Sequence, residues 1–97
     1  MPNQEKHLPL DGRVYRAARE GMKLRYSEVC RLADISPSTL ARIESTDVIE
    51  LAREYREAGK FERETVERLA NAYRSLGVVF IAPEVRWGPG LRLPLVK

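Results

Sequence analysis

The chain has 97 residues, of which 43% are hydrophobic and 32% charged, with a formal net charge of +3. This length suits one folded domain, and the composition is not that of a disordered chain. No apolar run approaches the roughly 18–20 residues that cross a bilayer, and residues 1–7 lack the apolar stretch of a signal peptide. We therefore expect a cytoplasmic protein without a membrane partner.

The single cysteine excludes an internal disulfide and a cysteine-rich zinc site. Because only one histidine accompanies it, we predict no enzyme, no metal and no cofactor.

Arginine dominates the basic residues, accounting for thirteen of the seventeen cations. Its planar guanidinium can fork onto phosphates and guanine edges in a way that lysine cannot. Cations exceed acids by two in residues 1–45 and again in residues 76–97, whereas residues 46–75 carry one acid more than cations. The first part and the tail are therefore better placed to meet an anion, although a general preference for arginine would produce the same composition.

Three short helices are predicted after a leader over residues 1–10. Asp11 is a plausible N-cap of the first, and Gly21 ends it. The second covers about residues 26–33. It has stopped by Ser36, because the residue before a proline is disfavoured in the α region, and Ser36 with Pro37 opens the third helix. The apolar positions that face inward are Val14, Ala17, Ala18, Val29, Leu32, Ala33, Leu40 and Ile43.

The second half of the chain predicts two more helices and a β-hairpin. A fourth helix follows the break at residues 45–47 and stops at Gly59, and a fifth runs over about residues 62–76. The stripe of the fourth helix is Val48, Leu51, Ala52 and Tyr55. Residues 78–97 then show the apolar alternation and turn residues of a hairpin. The predicted fold is mainly α, with about five helices in a domain over residues 11–77 and a hairpin over residues 78–97.

Residues 26–45 fit the steric pattern of two helices that cross closely through a tight turn. Cys30 supplies the small residue that the first helix needs at its fifth position. Asp34 stands where the turn requires a residue that tolerates positive φ. The positions that must face inward hold Val29, Ala33, Ile35, Leu40 and Ile43.

Residues 24–44, which read LRYSEVCRLADISPSTLARIE, resemble the Xre/Cro-type, lambda-repressor-like helix-turn-helix regulators. Residues 77–81 (GVVFI) and 88–93 (GPGLRL) resemble the tail of short bacterial members of this family. The resemblance covers about residues 13–46 and 62–93. Arg25, Tyr26 and Asp34 stand where the family favours Ser, Gln and Gly, and residues 47–60 are longer than the short members show.

The resemblance implies that the second helix of the motif, residues 37–45, enters the major groove of double-stranded DNA. The implied base-reading residues are Pro37, Ser38, Ala41 and Arg42. The implied phosphate contacts are Arg25, Tyr26, Ser36 and Thr39. Arg19 and Glu44 would form a structural salt bridge between the first helix and the recognition helix. Two alternatives stay open, since Arg42 could be a solvated arginine and Tyr26 a packing aromatic.

One recognition helix reads about four base pairs, so regulators of this kind act as dimers on paired half-sites. Two strands alone are marginal in water, so the hairpin needs either the helical body or a second copy of the chain as its partner. We therefore expect a homodimeric, sequence-specific repressor. The alternative is an antitoxin or other interaction module that binds a toxin-like protein and uses the motif for autoregulation.

Overall fold

The computed structural model describes residues 7–83 and 88–94, and it is mainly helical with one short antiparallel sheet. The elements are α1 (Gly12–Gly21), α2 (Tyr26–Ala33), α3 (Pro37–Glu44), α4 (Arg63–Ser75), β1 (Val79–Ile81) and β2 (Gly90–Arg92). The expected fold class is confirmed at this level. The expectation of five helices is wrong, because the described residues form four.

The first three helices begin and end on the residues that the sequence marks for them. The Asp11 carboxylate accepts the N–H of Arg13 at 2.9 Å at the start of α1. The Ser36 hydroxyl accepts the N–H of Thr39 at 3.2 Å at the start of α3. Such bonds satisfy backbone donors that have no partner within a helix. Asp34 ends α2 with a left-handed backbone, φ 56° and ψ 52°.

Residues 48–59 form irregular structure instead of the expected fourth helix. Val48 is 73% exposed and Tyr55 is 77% exposed, so only the middle of the predicted apolar stripe, at Leu51 and Ala52, is partly buried. A short helix depends mainly on burying such a face. The Glu57 carboxylate instead accepts the N–H groups of Arg53 and Glu54 at 2.6 and 2.7 Å, and this arrangement replaces helical hydrogen bonds.

Residues 51–61, which we call the 51–61 loop, have their two ends joined by backbone contacts. Leu51 and Phe61 form an isolated parallel bridge. The Phe61 N–H donates to the Glu50 carbonyl at 2.9 Å, and the Ala52 N–H donates to the Phe61 carbonyl at 2.8 Å. Phe61 is buried, as is Ile49 just before the loop. The loop is therefore anchored to the core where it begins and ends.

The hairpin packs on its own helical body. Strand β1 pairs with β2 in the register Val79 to Arg92, Phe80 to Leu91 and Ile81 to Gly90. The buried ring of Phe80 lies 5.6 Å from that of Tyr15 in α1 and 6.3 Å from that of Tyr73 in α4, measured between centroids. The remainder of the predicted hairpin, residues 84–87 and 95–97, and residues 1–6 of the leader lie outside the described residues.

Two residues expected to face inward do not. Ala17 is exposed, and Leu32 is 51% exposed on the outer side of α2. Helices of eight to ten residues turn only one narrow face to the core, and Val14, Ala18, Val29 and Ala33 already occupy it.

The first turn of α1 lies directly against the end of α3. The Gly12 N–H donates to the Thr46 carbonyl at 2.9 Å. A Cβ atom at Gly12 would lie 1.9 Å from the Ile43 carbonyl oxygen, so only glycine fits at this approach. The contact fixes α3 from behind. Across the part of the chain that the structure describes, no helix is long and apolar enough to traverse a membrane.

Candidate nucleic-acid interface

Helices α2 and α3 are joined by the three residues 34–36. The Ile35 N–H donates to the Cys30 carbonyl at 3.1 Å, which closes the end of α2 on the left-handed Asp34. Cys30 is buried, and burial raises the pKa of its thiol, with the nearby Glu44 charge adding to the effect. A buried thiol of raised pKa is a packing residue and a poor nucleophile. The side chains beneath the helix pair are Val29, Ala33, Leu40 and Ile43, all buried.

One face of α3 is open to solvent along its whole length. Its buried residues are Leu40, Ile43 and Glu44, and Thr39 is half-buried. The exposed residues are Ser36, Pro37, Ser38, Ala41 and Arg42. All four residues expected to read bases therefore lie on this exposed face, which projects away from the core.

Three hydroxyl groups form a network at the start of α3. The Ser36 hydroxyl donates to the Thr39 hydroxyl at 2.8 Å, and it lies 3.1 Å from the Ser38 hydroxyl. Two bonds therefore join Ser36 and Thr39: the one between their hydroxyls and the N-cap bond from the Thr39 N–H. The network fixes the side chains at the tip of α3, with Ser38 exposed on it. Contacts of Ser36 and Thr39 with phosphate stay a prediction.

A buried ion pair ties α1 to α3. The Arg19 Nε and Nη2 atoms donate to the two Glu44 carboxylate oxygens at 2.8 and 3.0 Å. The Glu44 side chain is only 4% exposed and that of Arg19 16%. Such a two-pronged pair fixes orientation as well as distance. Together with the contact at Gly12, it holds α3 at a defined angle to α1.

Tyr26 joins the same cluster from α2. Its hydroxyl donates to Glu44 Oε1 at 3.3 Å, and Arg19 Cζ lies 4.5 Å from its ring centroid. Desolvation first, and then the Glu44 charge, raise the pKa of Tyr26. These contacts favour the packing alternative for Tyr26. A phosphate contact would have to share or replace the hydroxyl's bond to Glu44.

Arg25 stands at the N-terminus of α2. Its N–H donates to Glu28 Oε1 at 2.8 Å, which satisfies one backbone donor there. The side chain is exposed, and in residues 7–83 and 88–94 no carboxylate forms an ion pair with it. The positive end of a helix adds to the charge of the guanidinium. The Arg25 guanidinium is therefore accessible to an anion, while the Glu28 carboxylate already occupies one N–H group of this helix start.

Arg42 lies in the last turn of α3 and is exposed. Its carbonyl accepts the hydroxyls of Ser45 at 3.2 Å and Thr46 at 2.6 Å, which ends the helix. Its guanidinium lies over the ring of Phe61, with Cζ 4.8 Å from the centroid. Sequence reasoning missed Phe61. One signal for it was available in the sequence. Phe61 immediately precedes the N-cap of α4 and Val66 is the fourth residue of that helix, which is the spacing of a hydrophobic staple.

The exposed face of α3 stands between two clefts. One, of about 380 Å³, separates α3 from the 51–61 loop, and Arg42, Arg56 and Lys60 are among its lining residues. The other, of about 170 Å³, lies towards α1, and Arg16, Ala41 and Ser45 are among its lining residues. The arrangement is a helical ridge with basic side chains on both sides, although Glu57 and Glu62 also line the first cleft and Glu44 the second. Arg42 and Arg56 form no ion pair among the described residues, whereas Lys60 pairs with Glu57 and Arg16 with Glu20.

Comparison of the chain with protein-family models, curated proteins and solved structures finds no match in any of the three. Its function is therefore inferred from its own residues. Those residues offer a rigid, solvent-exposed helix with one arginine fork, hydroxyl groups and small apolar side chains.

Proposed function

We propose that the chain is a sequence-specific regulator that binds double-stranded DNA through a lambda-repressor-like helix-turn-helix, with α3 in the major groove. The observation that carries the proposal is the exposed face of α3, held from behind by Gly12 and by the Arg19–Glu44 pair. A helix about 10–12 Å across fits a major groove about 12 Å wide. A recognition helix must expose the face that meets DNA and be packed against the protein on its opposite face. Helix α3 meets both conditions.

The residues divide into base-reading and positioning groups under this proposal. Arg42 binds guanine O6 and N7 through its fork, and Ser38 bonds to a base edge. Pro37 and Ala41 offer apolar contact to a thymine methyl group. Because only one arginine reads bases, DNA shape supplies part of the specificity. The positioning contacts to phosphate come from Arg25, Ser36 and Thr39, and Tyr26 adds one only if its hydroxyl shares or exchanges the bond to Glu44.

The proposed regulator acts as a homodimeric repressor. A single α3 covers too few base pairs to define a site, so two copies read half-sites about one helical turn apart. The hairpin leaves one side accessible, because its inner residue Phe80 is buried whereas Val79, which is paired with the exposed Arg92, is 48% exposed. The outer side of the hairpin is therefore available to a second copy.

The test is selection of bound fragments from random duplex DNA, followed by titration of the selected duplex at several salt concentrations. Arg42→Ala should relax the preference at one base pair and cost about 1–3 kcal/mol of binding. Arg42→Lys is the matched control, because it loses the fork but keeps the charge. It should relax the same base pair while leaving the salt dependence unchanged.

Arg25→Ala should weaken binding to all duplexes alike and flatten the salt dependence by about one ion. Arg25→Lys, which keeps the charge, should restore most of the lost affinity.

If the wild-type chain enriches no sequence, the proposal fails. If a sequence is enriched but Arg42→Ala binds it as tightly as the wild type, α3 is not the reading face.

A second candidate is a protein-binding module of antitoxin type. The exposure of Val48 and Tyr55 on the segment between α3 and α4 favours it, since exposed large apolar side chains can mark a protein contact. This candidate expects a stoichiometric partner to purify with the chain from its native host. Tyr55→Asp should abolish that copurification without affecting DNA binding.

A further inference from the structure

Phe61 lies beneath the one side chain that is expected to discriminate guanine, and nothing in the helix-turn-helix motif accounts for it. We propose that Phe61 is a positioning residue for Arg42, and that the 51–61 loop serves to hold its ring in place. This inference rests on the proposed function and assigns a role to a segment that the resemblance leaves unexplained.

Among the described residues, Phe61 is the aromatic residue that Arg42 contacts. Arg42 Cζ lies 4.8 Å from the Phe61 ring centroid, within the range in which a cation is attracted to a ring face. Within residues 7–83 and 88–94, the Arg42 guanidinium forms neither a hydrogen bond nor an ion pair with a side chain or carbonyl. The ring is its principal contact with the rest of the protein.

The contact with the ring leaves the reading atoms free, since no described residue accepts a hydrogen bond from the Arg42 guanidinium. A guanidinium is planar, and its N–H groups donate in that plane, whereas the attraction to a ring uses the face. Arg42 can therefore rest on Phe61 and still direct two N–H groups at guanine O6 and N7. Restricting a long, flexible side chain before binding reduces the entropy lost when the complex forms.

The ring itself is held rigidly. Phe61 is 5% exposed, and both its N–H and its carbonyl form backbone hydrogen bonds to the start of the loop. Glu57 fastens the far side of the loop, because it accepts two backbone N–H groups and pairs with Lys60 Nζ at 3.1 Å. Donation from the Glu54 N–H, followed by the Lys60 contact, lowers the pKa of the Glu57 carboxyl. The loop is thus ordered around the residue that carries the ring.

The test compares two duplexes: the selected one, and the same duplex with the base pair read by Arg42 replaced. Phe61→Leu keeps an apolar side chain but removes the ring, and it should reduce the ratio of the two affinities by about two- to fivefold, as expected for a partly exposed cation–π contact. Affinity for the replaced duplex should not change. Phe61→Tyr, which keeps the ring face, should retain the full ratio. In an Arg42→Ala background, Phe61→Leu should leave the ratio unchanged.

A purely structural role for Phe61 would give a different result, since it would weaken binding to both duplexes equally. A measurement on the free wild-type protein does not depend on how the variants fold. Proton NMR should show the Arg42 side-chain protons shifted upfield by the Phe61 ring current. An unshifted Arg42, an unchanged ratio in folded Phe61→Leu, or equal weakening of both duplexes would overturn the role of Phe61. If the wild type selects no sequence at all, the proposed function fails, and the reading role of the pair fails with it.

Discussion

At the scale of single residues, the two bonds from Arg19 compensate the desolvation of the buried Glu44 carboxylate. A buried carboxylate that loses its partner keeps the cost of desolvation without the compensating attraction. Arg19→Ala should therefore lower the free energy of unfolding by about 3 kcal/mol, as measured by urea denaturation. Arg16→Ala is the matched control on the same helix, because its ion pair with Glu20 is exposed. It should cost less than about 1 kcal/mol. Equal losses in the two variants would contradict the structural role given to the Arg19–Glu44 pair.

Asp11 makes the stability of α1 dependent on pH. The bonds from Arg13, above all those from its side chain, lower the pKa of the Asp11 carboxyl in the folded protein. A lowered pKa gives stability that is present above the pKa of the unfolded chain and is lost as the pH falls through the folded one. Asp11→Asn can still cap the helix but carries no charge. Wild type should be more stable than Asp11→Asn at pH 6, and the difference should shrink below about pH 4 in urea titrations. A difference that is constant with pH would rule out this account.

At the scale of the elements, the approach of α1 to α3 depends on Gly12. A methyl group there would collide with the Ile43 and Thr46 carbonyl groups, and neither backbone can retreat without moving α3. Gly12→Ala should cost about 3 kcal/mol or more in thermal or urea unfolding. Gly59→Ala is the control, because nothing lies within 4 Å of its added carbon and only its φ of +76° opposes the change. It should cost about 1 kcal/mol. The reverse order would show that the helices do not meet as described.

The elements also show how far sequence reasoning reaches. Capping residues act on neighbours three or four positions away, so Asp11, Ser36 and Pro37 were enough to place the starts of α1 and α3. The spacing of Val48, Leu51, Ala52 and Tyr55 met the same helical criterion, yet no helix forms. Whether such a stripe is buried depends on the rest of the core, and that information is not local.

The candidate site was predictable to the same extent. The resemblance implied an outward position for Pro37, Ser38, Ala41 and Arg42, and the structure exposes all four while burying Leu40 and Ile43. The stack of Arg42 on Phe61 was not foreseen. It joins residues nineteen positions apart through a loop whose closure depends on two backbone hydrogen bonds, and neither composition nor periodicity encodes that pairing.

At the scale of the whole molecule, the hairpin is proposed to serve both the core and the dimer. Truncation after Gly77 would remove the buried Val78 and Phe80 as well as the outer side, so it would not isolate the interface. Val79→Asp changes only an exposed side chain. Sedimentation should show a dimer for the wild type and a monomer for Val79→Asp, and affinity for a two-half-site duplex should fall at least tenfold. A dimeric Val79→Asp protein would place the interface elsewhere, for example on α4.

The burial of Phe80 between Tyr15 and Tyr73 also bears on the order in which the chain matures during synthesis. Helix α3 is complete by residue 44, but the aromatic cluster of Tyr15, Tyr73 and Phe80 lacks one of its three rings until the ribosome has added residue 80. A nascent chain that has exposed α3 therefore does not yet have the finished core against which α1 packs. Under the proposed function, DNA binding should therefore begin only after residue 80 has been added and Phe80 has joined the core.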